Sequence, residues 1–353
     1  MKESADRFVR LDPQGRDVEG VYLYISAPRT GTNADSPYVD MLLLNGPSDE
    51  RPIRRLSQRQ EFLSESRQAI PGGPGRLARA VHEPSKLLEV TQELKQILEQ
   101  AADLVRRSRH VVALSGAGLS VESGIPPYRG PGGLWTKFGQ PPMLSYQEFG
   151  QDPKAWWESR IQGEREPGNP IYEMKSAVDH AAPNQGHLAL VELEQKGFLK
   201  CTVTQNVDNL HREAGSQALL ELHGNRTWLR CTGCGSRWPR DGFTINSLPP
   251  ICPQCTGVIK MDTVMFGEPI PPSVLQACRE QAEQCDCMLL VGTSGTVNPA
   301  ARLPLLAKEA GAALIEINPE ATGLTPWCDL TLTGPSGEIL PLLADLLLRG
   351  GGG

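Results

Sequence analysis

The stretch VVALSGAGLSVESGIPPYRG, residues 111–130, decides how this chain is read. Residues 111–114 are all apolar, the composition of a strand buried on both faces. Gly116 and Gly118 follow at once, as they do where a backbone must come close to a phosphate. The third glycine of the dinucleotide-binding pattern G-x-G-x-x-G is missing, and Val121 stands in its place. The next glycine is Gly124, followed by Ile125, Pro126 and Pro127. Adjacent prolines forbid a helix running straight out of the loop, because neither can donate a backbone N–H. The expectation is a nucleotide-binding strand and loop whose second half does not continue as a helix.

Outward from this strand the same alternation recurs. KCTVTQN (200–206), CMLLVGTS (287–294) and AALIEIN (312–318) are short, apolar and end in polar loops. Helical patterns separate them: GHLALVELEQKG, PPSVLQACREQAEQ, PAARLPLLAKEAG and GEILPLLADLLL. Continuous apolar strands alternating with helices predict an α/β fold, a parallel sheet covered on both faces with ligands at the carboxyl ends of its strands. Before the first strand, residues 85–110 place Leu87, Leu88, Leu94, Ile97, Leu98, Ala101, Leu104 and Val105 at helical spacing. Ser85 serves as the cap, and Arg106, Arg107 and Arg109 suit the carboxyl end.

Two segments interrupt the alternation. Residues 131–184 are rich in Trp, Pro and charge, and residues 230–261 carry paired cysteines. Residues 1–85 are different again, with recurrent Pro and Gly. Their short apolar runs VYLYI and YVDMLLL could pair as strands but are too few to bury a domain. They read as a poorly ordered extension or as a small flap on the main domain. Residues 349–353 form a Gly-rich tail.

Composition limits the function classes. The chain has 353 residues and a formal net charge of −6, with no basic stripe suited to nucleic acid. No run of 18 apolar residues is present, so no transmembrane helix is expected. The polar, acid-containing start MKESADRFVRLDPQGRD resembles neither a secretory signal nor a transit peptide. A cytoplasmic, soluble protein is the expectation.

Among nine cysteines, Cys231, Cys234, Cys252 and Cys255 form C-x2-C, 17 intervening residues, then C-x2-C. Each two-residue gap lets both thiolates of a knuckle reach one metal, and two knuckles complete a tetrahedron. One structural zinc is the expectation, with four accidental thiols or an iron–sulfur cluster as alternatives. Four thiolates leave no position for water, so this metal has no catalytic role. Cys201, Cys278, Cys285, Cys287 and Cys328 share no pattern and read as small core or surface residues.

TQNVDNLHREAG (204–215) places Gln205, Asn206 and Asp208 at a strand's carboxyl end, within reach of a ribose or carboxamide. A turn rich in Asn and Asp is the alternative reading. LLELHGN ends an apolar run at His223 before Gly224, where a histidine can act as general base or be structural.

Together, GAGLSVESGIPPYRG, TQNVDNLHREAG, LHG, the two cysteine pairs, VMFGE, VGTSGTVNPA and IEIN follow the order seen in sirtuins. From about residue 86 to residue 348 the chain resembles that family of NAD-dependent protein deacylases. The resemblance implies a Rossmann-like large lobe, a small zinc-binding lobe and a helical insertion at 131–184. NAD and an acyl-lysine peptide would lie in the cleft between the lobes. It implies phosphate and ribose contacts from Gly116, Ala117, Gly118 and Ser123. Nicotinamide and its ribose would meet Gln205, Asn206 and Asp208. Further phosphate, ribose and adenosine contacts would come from Gly292, Thr293, Ser294 and Asn318. Val264, Phe266, Gly267 and Glu268 match the peptide-binding segment, which pairs with substrate as an added strand. His223 matches the catalytic histidine, with Asn206, Asp208 and Arg129 as further catalytic residues.

NAD in this family is a substrate that is consumed. Partners implied are acylated-lysine proteins, with neither nucleic acid nor membrane expected. Two departures stand out. Pro127 and Tyr128 occupy the places of Asp and Phe before the loop arginine, which bears on the response to nicotinamide. Ser159 and Gln162 fall where members that remove succinyl groups carry Tyr and Arg, which argues against acidic acyl chains, although Arg160 and Arg165 lie nearby. An ADP-ribosyltransferase or NAD hydrolase of the same fold is the alternative activity. A conventional dehydrogenase would need an acid at a strand end roughly 20 residues beyond the glycines, where TKFGQPP offers none.

Overall fold

The computed structural model describes residues 91–130 and 132–349 in full, and before them only the backbone of four short strands. Contacts divide the chain into a unit of Met1–Leu87 and a unit of Leu88–Gly353. In the first, β1 (Phe8–Arg10), β2 (Tyr22–Tyr24), β3 (Leu43–Leu44) and β4 (Glu50–Arg51) form an antiparallel sheet in that order. Leu23 opposite Leu43 joins the two apolar runs noted in the sequence. The remainder of the extension and the Gly tail from 350 lie outside the described residues.

The second unit is built on six parallel strands in the order β13-β12-β11-β5-β6-β7. They are β5 (Val111–Ser115), β6 (Leu199–Thr204), β7 (Leu219–Glu221), β11 (Cys287–Val291), β12 (Ala313–Asn318) and β13 (Leu330–Thr333). Strand periodicity sends alternate side chains to opposite faces. Val111 and Ala113 therefore join one core with Leu289 and Ile315, while Val112 and Leu114 join the other with Leu290 and Leu314. Helices α1 (Gln92–Arg107), α6 (Gln185–Gln195) and α10 (Ser336–Arg349) cover the first face. Helices α8 (Pro272–Gln284) and α9 (Leu303–Glu309) cover the second, and the short α7 (Leu210–Ala214) lies between β6 and β7 in the chain. Truncating a side chain such as Leu114, 1% exposed, to Ala would cost about 2–5 kcal/mol.

Thr91 caps α1, its hydroxyl accepting from the Leu94 amide at 3.1 Å. Ser85, the cap read from the sequence, and Leu87 and Leu88 lie outside the described residues. Strand β7 ends at Glu221, two residues before His223, and β13 carries no apolar run long enough to have announced it. Residues 131–184 supply α2 (Leu134–Phe138), α3 (Ser145–Gln151), α4 (Pro153–Gly163) and α5 (Pro170–Asp179). Both α4 and α5 open with Asp or Asn as cap and Pro in the first turn, where its missing N–H costs nothing. The cysteine segment folds around β8 (Trp228–Cys231), β9 (Arg237–Pro239) and β10 (Ile259–Met261), an antiparallel sheet in the order β10-β8-β9. Among the described residues no helix is long and apolar enough to cross a membrane.

The chain runs outward from β5 through β6 to β7, then returns to the other side of β5 for β11, β12 and β13. This reversal creates a switch point between β5 and β11, and a crevice opens beyond the carboxyl ends of strands flanking such a point.

Candidate active site

The two strands at the switch point are followed by the two glycine loops. The Gly116 amide donates to Val291 O at 2.9 Å and the Gly118 amide to Gly292 O at 2.8 Å. Side chains are excluded by this closeness. A Cβ on Gly292, whose φ is +57°, would sit 2.3 Å from the Leu119 amide nitrogen, and one on Gly118 would sit 2.7 Å from Gly292 Cα. These glycines therefore weld one loop to the other, and the Gly118 N–H is already spent on that weld. Ala117 opens a short 3-10 helix, Ala117–Ser123, that ends at Gly124 in the left-handed region.

Beneath the loops lies a hydrogen-bonded layer. Asn206 Nδ2 donates to Gly116 O at 3.0 Å and to Ser120 Oγ at 3.1 Å, and Ser120 Oγ donates to Asp208 Oδ2 at 2.7 Å. Asp208 Oδ1 accepts from the Leu210 amide at 2.9 Å. Burial pushes the Asp208 carboxyl above the ordinary range, and these two donors oppose the rise. Gln205 Nε2 reaches Thr293 Oγ1 at 2.8 Å, and Asn318 Nδ2 donates to Thr293 O at 3.2 Å. Asn318 also leans on the fully buried Glu316, which accepts from Thr322 and Thr325 hydroxyls. Ser123 Oγ accepts from Asn184 Nδ2 at 3.0 Å. Ser294 stands apart, exposed and bonded to Thr296.

His223 lies at the edge of this layer. Its Nδ1 is 3.1 Å from Gln205 O. A carbonyl only accepts, so Nδ1 carries the proton and Nε2 keeps a lone pair. Burial holds the imidazole below its usual range, partly countered by that backbone bond. Gly224 must be glycine: at φ +77° a Cβ would lie 1.7 Å from Asp262 O. The His223 carbonyl then accepts from the Val264 amide at 2.9 Å, joining the histidine to residues 264–268.

Arg129 is exposed and stacks over Trp135 at 4.3 Å, and Trp135 in turn contacts Tyr128 and Phe266 at 5.2 and 5.6 Å. Trp135 thus links the proline loop to the segment holding Phe266. Burial raises the Tyr128 phenol, and the Asp208 carboxylate adds to it. Gly267 backs onto Gln147 and Met143. The Glu268 carboxylate does not face outward towards a peptide, because Arg230 and Lys260 draw it into the interior, where its side chain is 3% exposed. Lys260 is 0% exposed, and burial pushes its ammonium down to about 8 against the pull of Glu268.

The four paired cysteines come together as their spacing implied, with all sulfurs within 4.8 Å of one another. Cys231 and Cys255 sulfurs are 3.4 Å apart, and Cys234 and Cys252 3.7 Å. Tetrahedral zinc–thiolate bonds of about 2.3 Å place sulfurs about 3.8 Å apart. Amides of Gly233 and Gln254 donate to Cys231 and Cys252 sulfurs at 3.3 and 3.4 Å, as suits thiolates. The donor set fits zinc. The other five cysteines are free, and burial pushes Cys201, Cys278, Cys285, Cys287 and Cys328 up to about 12, consistent with inert thiols.

Local sequence gave no sign of Ser120 or Asn184 as site residues, although Asn184 three residues before His187 has the spacing of a capping box. A second buried layer was also missed. His187 and His211 meet at 5.0 Å behind the site, and His211 Nε2 is 2.8 Å from Ser115 Oγ.

Known proteins place this geometry. The Sir2 family model matches residues 116–299. The NAD-dependent protein deacylase 2 of Pyrobaculum aerophilum is 42% identical over 249 residues, 70% of this chain and 95% of that protein. The crystal structure of a Sir2 homolog–NAD complex aligns with a TM-score of 0.61 at 38% identity, over 71% of this chain and 94% of the homolog. Sir2Af2 bound to a myristoylated histone peptide aligns with a TM-score of 0.54 at 33% identity, over 72% and 98%. With the switch-point loops, the histidine and the four-cysteine module all inside the shared region, this chain belongs to the Sir2 family.

Proposed function

We infer that this chain is an NAD-dependent protein-lysine deacylase, which consumes NAD and yields nicotinamide, an O-acyl-ADP-ribose and free lysine. The observation that carries the reading is His223, whose Nδ1 is tied to Gln205 O while Nε2 is left as a base beside the glycine loops. We assign the reaction to residues 86–348, with NAD along Gly116, Ala117, Gly118, Ser123, Gly292, Thr293, Ser294 and Asn318. The acylated peptide would be received by Val264, Phe266 and Gly267. Gln205, Asn206 and Asp208 would hold nicotinamide and its ribose, and Arg129 would close over the cofactor loop. Expelling neutral nicotinamide leaves a cationic ribose carbon, so fixed dipoles and exclusion of water are what this site must supply. The acyl oxygen replaces nicotinamide on that carbon. His223 then takes the proton of a ribose hydroxyl, which attacks the acyl carbon, and water completes release. Zinc on Cys231, Cys234, Cys252 and Cys255 would have a full coordination sphere and a structural role. A cytoplasmic setting belongs to this reading and rests on the five cysteines outside the zinc module, which form no disulfide.

Neutral acyl groups are the expected substrates. In α4, Ser159 and Gln162 carry no charge, and the Arg160 guanidinium is engaged by Glu164 at 3.2 Å. An unpaired carboxylate in the pocket would cost several kcal/mol. The test is mass spectrometry of NAD with acetyl-, decanoyl- and succinyl-lysine forms of one peptide. Free nicotinamide and O-acyl-ADP-ribose in equal amounts support the reading. ADP-ribose without deacylation, or ADP-ribose joined to protein, would replace it with the hydrolase or transferase activity. A best rate with succinyl-lysine would overturn the acyl preference.

A further inference from the structure

Three cations lie in a row across the small sheet. Register places Arg230 opposite Lys260 on β10 and opposite Arg237 on β9. Like charges directly opposite repel, so the row needs interleaved anions. Asp262 takes Arg230 and Arg237, with its Oδ1 2.9 Å from Arg230 Nε. Glu268 takes Arg230 at 2.7 Å and Lys260 at 3.0 Å. On β8, Arg230 and the neighbouring metal-module residue Cys231 point to opposite faces.

The same groups clamp the backbone of residues 263–268 at both ends. Lys260 Nζ donates to Thr263 O at 2.7 Å and to Met261 O at 2.8 Å. Glu268 Oε2 accepts from the Met265 amide at 2.9 Å, and the Glu268 amide donates to Met265 O at 3.0 Å. A buried ion pair is weak evidence for stability alone, since apolar replacements of such pairs are often as stable. What an apolar pair cannot supply is the directed bonds to Thr263 O and the Met265 amide.

We propose that Lys260 and Glu268 are positioning residues for the acyl-peptide side of the reaction. They fix the shape of residues 263–268 on the four-cysteine module while leaving the NAD loops untouched. The inference rests on the deacylase reading for the identity of the substrate. It predicts that metal-module geometry and peptide recognition are coupled through one carboxylate.

The test compares wild type with Glu268→Gln, Lys260→Met and the double variant Lys260→Met/Glu268→Met, all with zinc content measured. Glu268→Gln and Lys260→Met should raise KM for the acyl peptide by about tenfold to a hundredfold while KM for NAD and zinc content stay near wild type. The double variant restores apolar packing and should recover thermal stability without recovering peptide KM. Recovery of both would overturn the proposal, as would equal changes in both KM values or wild-type peptide KM in Glu268→Gln. Nicotinamide release by wild type tests the functional reading separately. Should wild type release none, amide exchange at Met265 decides: faster exchange in Glu268→Gln upholds the clamp, and unchanged exchange overturns it.

Discussion

Two sets of anchors converge on residues 263–268, and they are made of different materials. On the sheet side, Val264 hangs from the His223 carbonyl, and His223 from a layer of amides, hydroxyls and close-packed glycine backbone. Of its carboxylates, Asp208 has its pKa raised by burial, and Glu316 accepts from neighbouring hydroxyls and an amide. On the module side, Lys260 and Arg230 pair with the Glu268 carboxylate, and the sheet that bears the two cations is closed by four cysteines. The sheet side depends on shape and on the small size of particular glycines. The module side depends on charge balance and metal. The difference teaches that perturbations can be chosen that touch one side and spare the other.

The largest separation should come from Cys252→Ser. Binding energy at a structural zinc site is folding energy, with apparent values of about 10–16 kcal/mol in isolated fingers. The variant should lose zinc and unfold the module around Trp157 and Trp238, which pack on its core. Metal analysis with tryptophan fluorescence reads this, and wild-type zinc content together with a wild-type spectrum would break the comparison. Next in size, His223→Ala should lower turnover by about 10²–10⁴-fold while NAD still binds. In wild type, burial lowers the His223 pKa, so the base stays neutral to a lower pH than a free imidazole would. The acid limb of kcat/KM should therefore fall below the ordinary histidine value of 6.5. A midpoint above 6.5 would remove His223 from the role.

Gly292→Ala tests the weld between the two loops. The added Cβ meets the Leu119 amide at 2.3 Å in a left-handed backbone, and overpacking of this kind costs about 1–3 kcal/mol. NAD affinity should fall with zinc content unchanged, and equal loss of both would merge the two sides into one. The smallest effect is in pH. Burial pushes His187 down to about 3 and His211 down to about 4, against 6.5 when free. Below pH 6.5 both take up protons on unfolding, so their contribution is complete above pH 6.5 and is lost as pH falls from there, towards about 4 for His211 and about 3 for His187. Each proton adds a slope of about 1.4 kcal/mol per pH unit. His211→Gln should remove one such increment from the pH dependence of urea unfolding between those limits. An unchanged slope would mean that His211 is protonated in the fold.

The sequence by itself determined the parts whose signals are local. Four apolar residues at 111–114 announce a buried strand, and β5 is there. Gly116 and Gly118, read in the sequence as an approach to a phosphate, pack in the structure against the Gly292 loop. Two C-x2-C pairs announce one metal, because the spacing alone brings each pair to a common point. Val121 in place of the third glycine, with two prolines beyond, announced that no long helix follows, and a 3-10 turn stands there. Only the tertiary structure decided what the long-range partners are. By the family resemblance Glu268 reads in sequence as part of the peptide-binding segment, yet β8–β10 register puts Arg230 and Lys260 beside it and turns it inward. Ser120, Asn184 and His211 acquire partners from segments 61 to 96 residues away. A hydrogen bond or ion pair across such distances leaves no periodic mark on either segment, because it depends on how strands are ordered in the sheet and not on the neighbours along the chain.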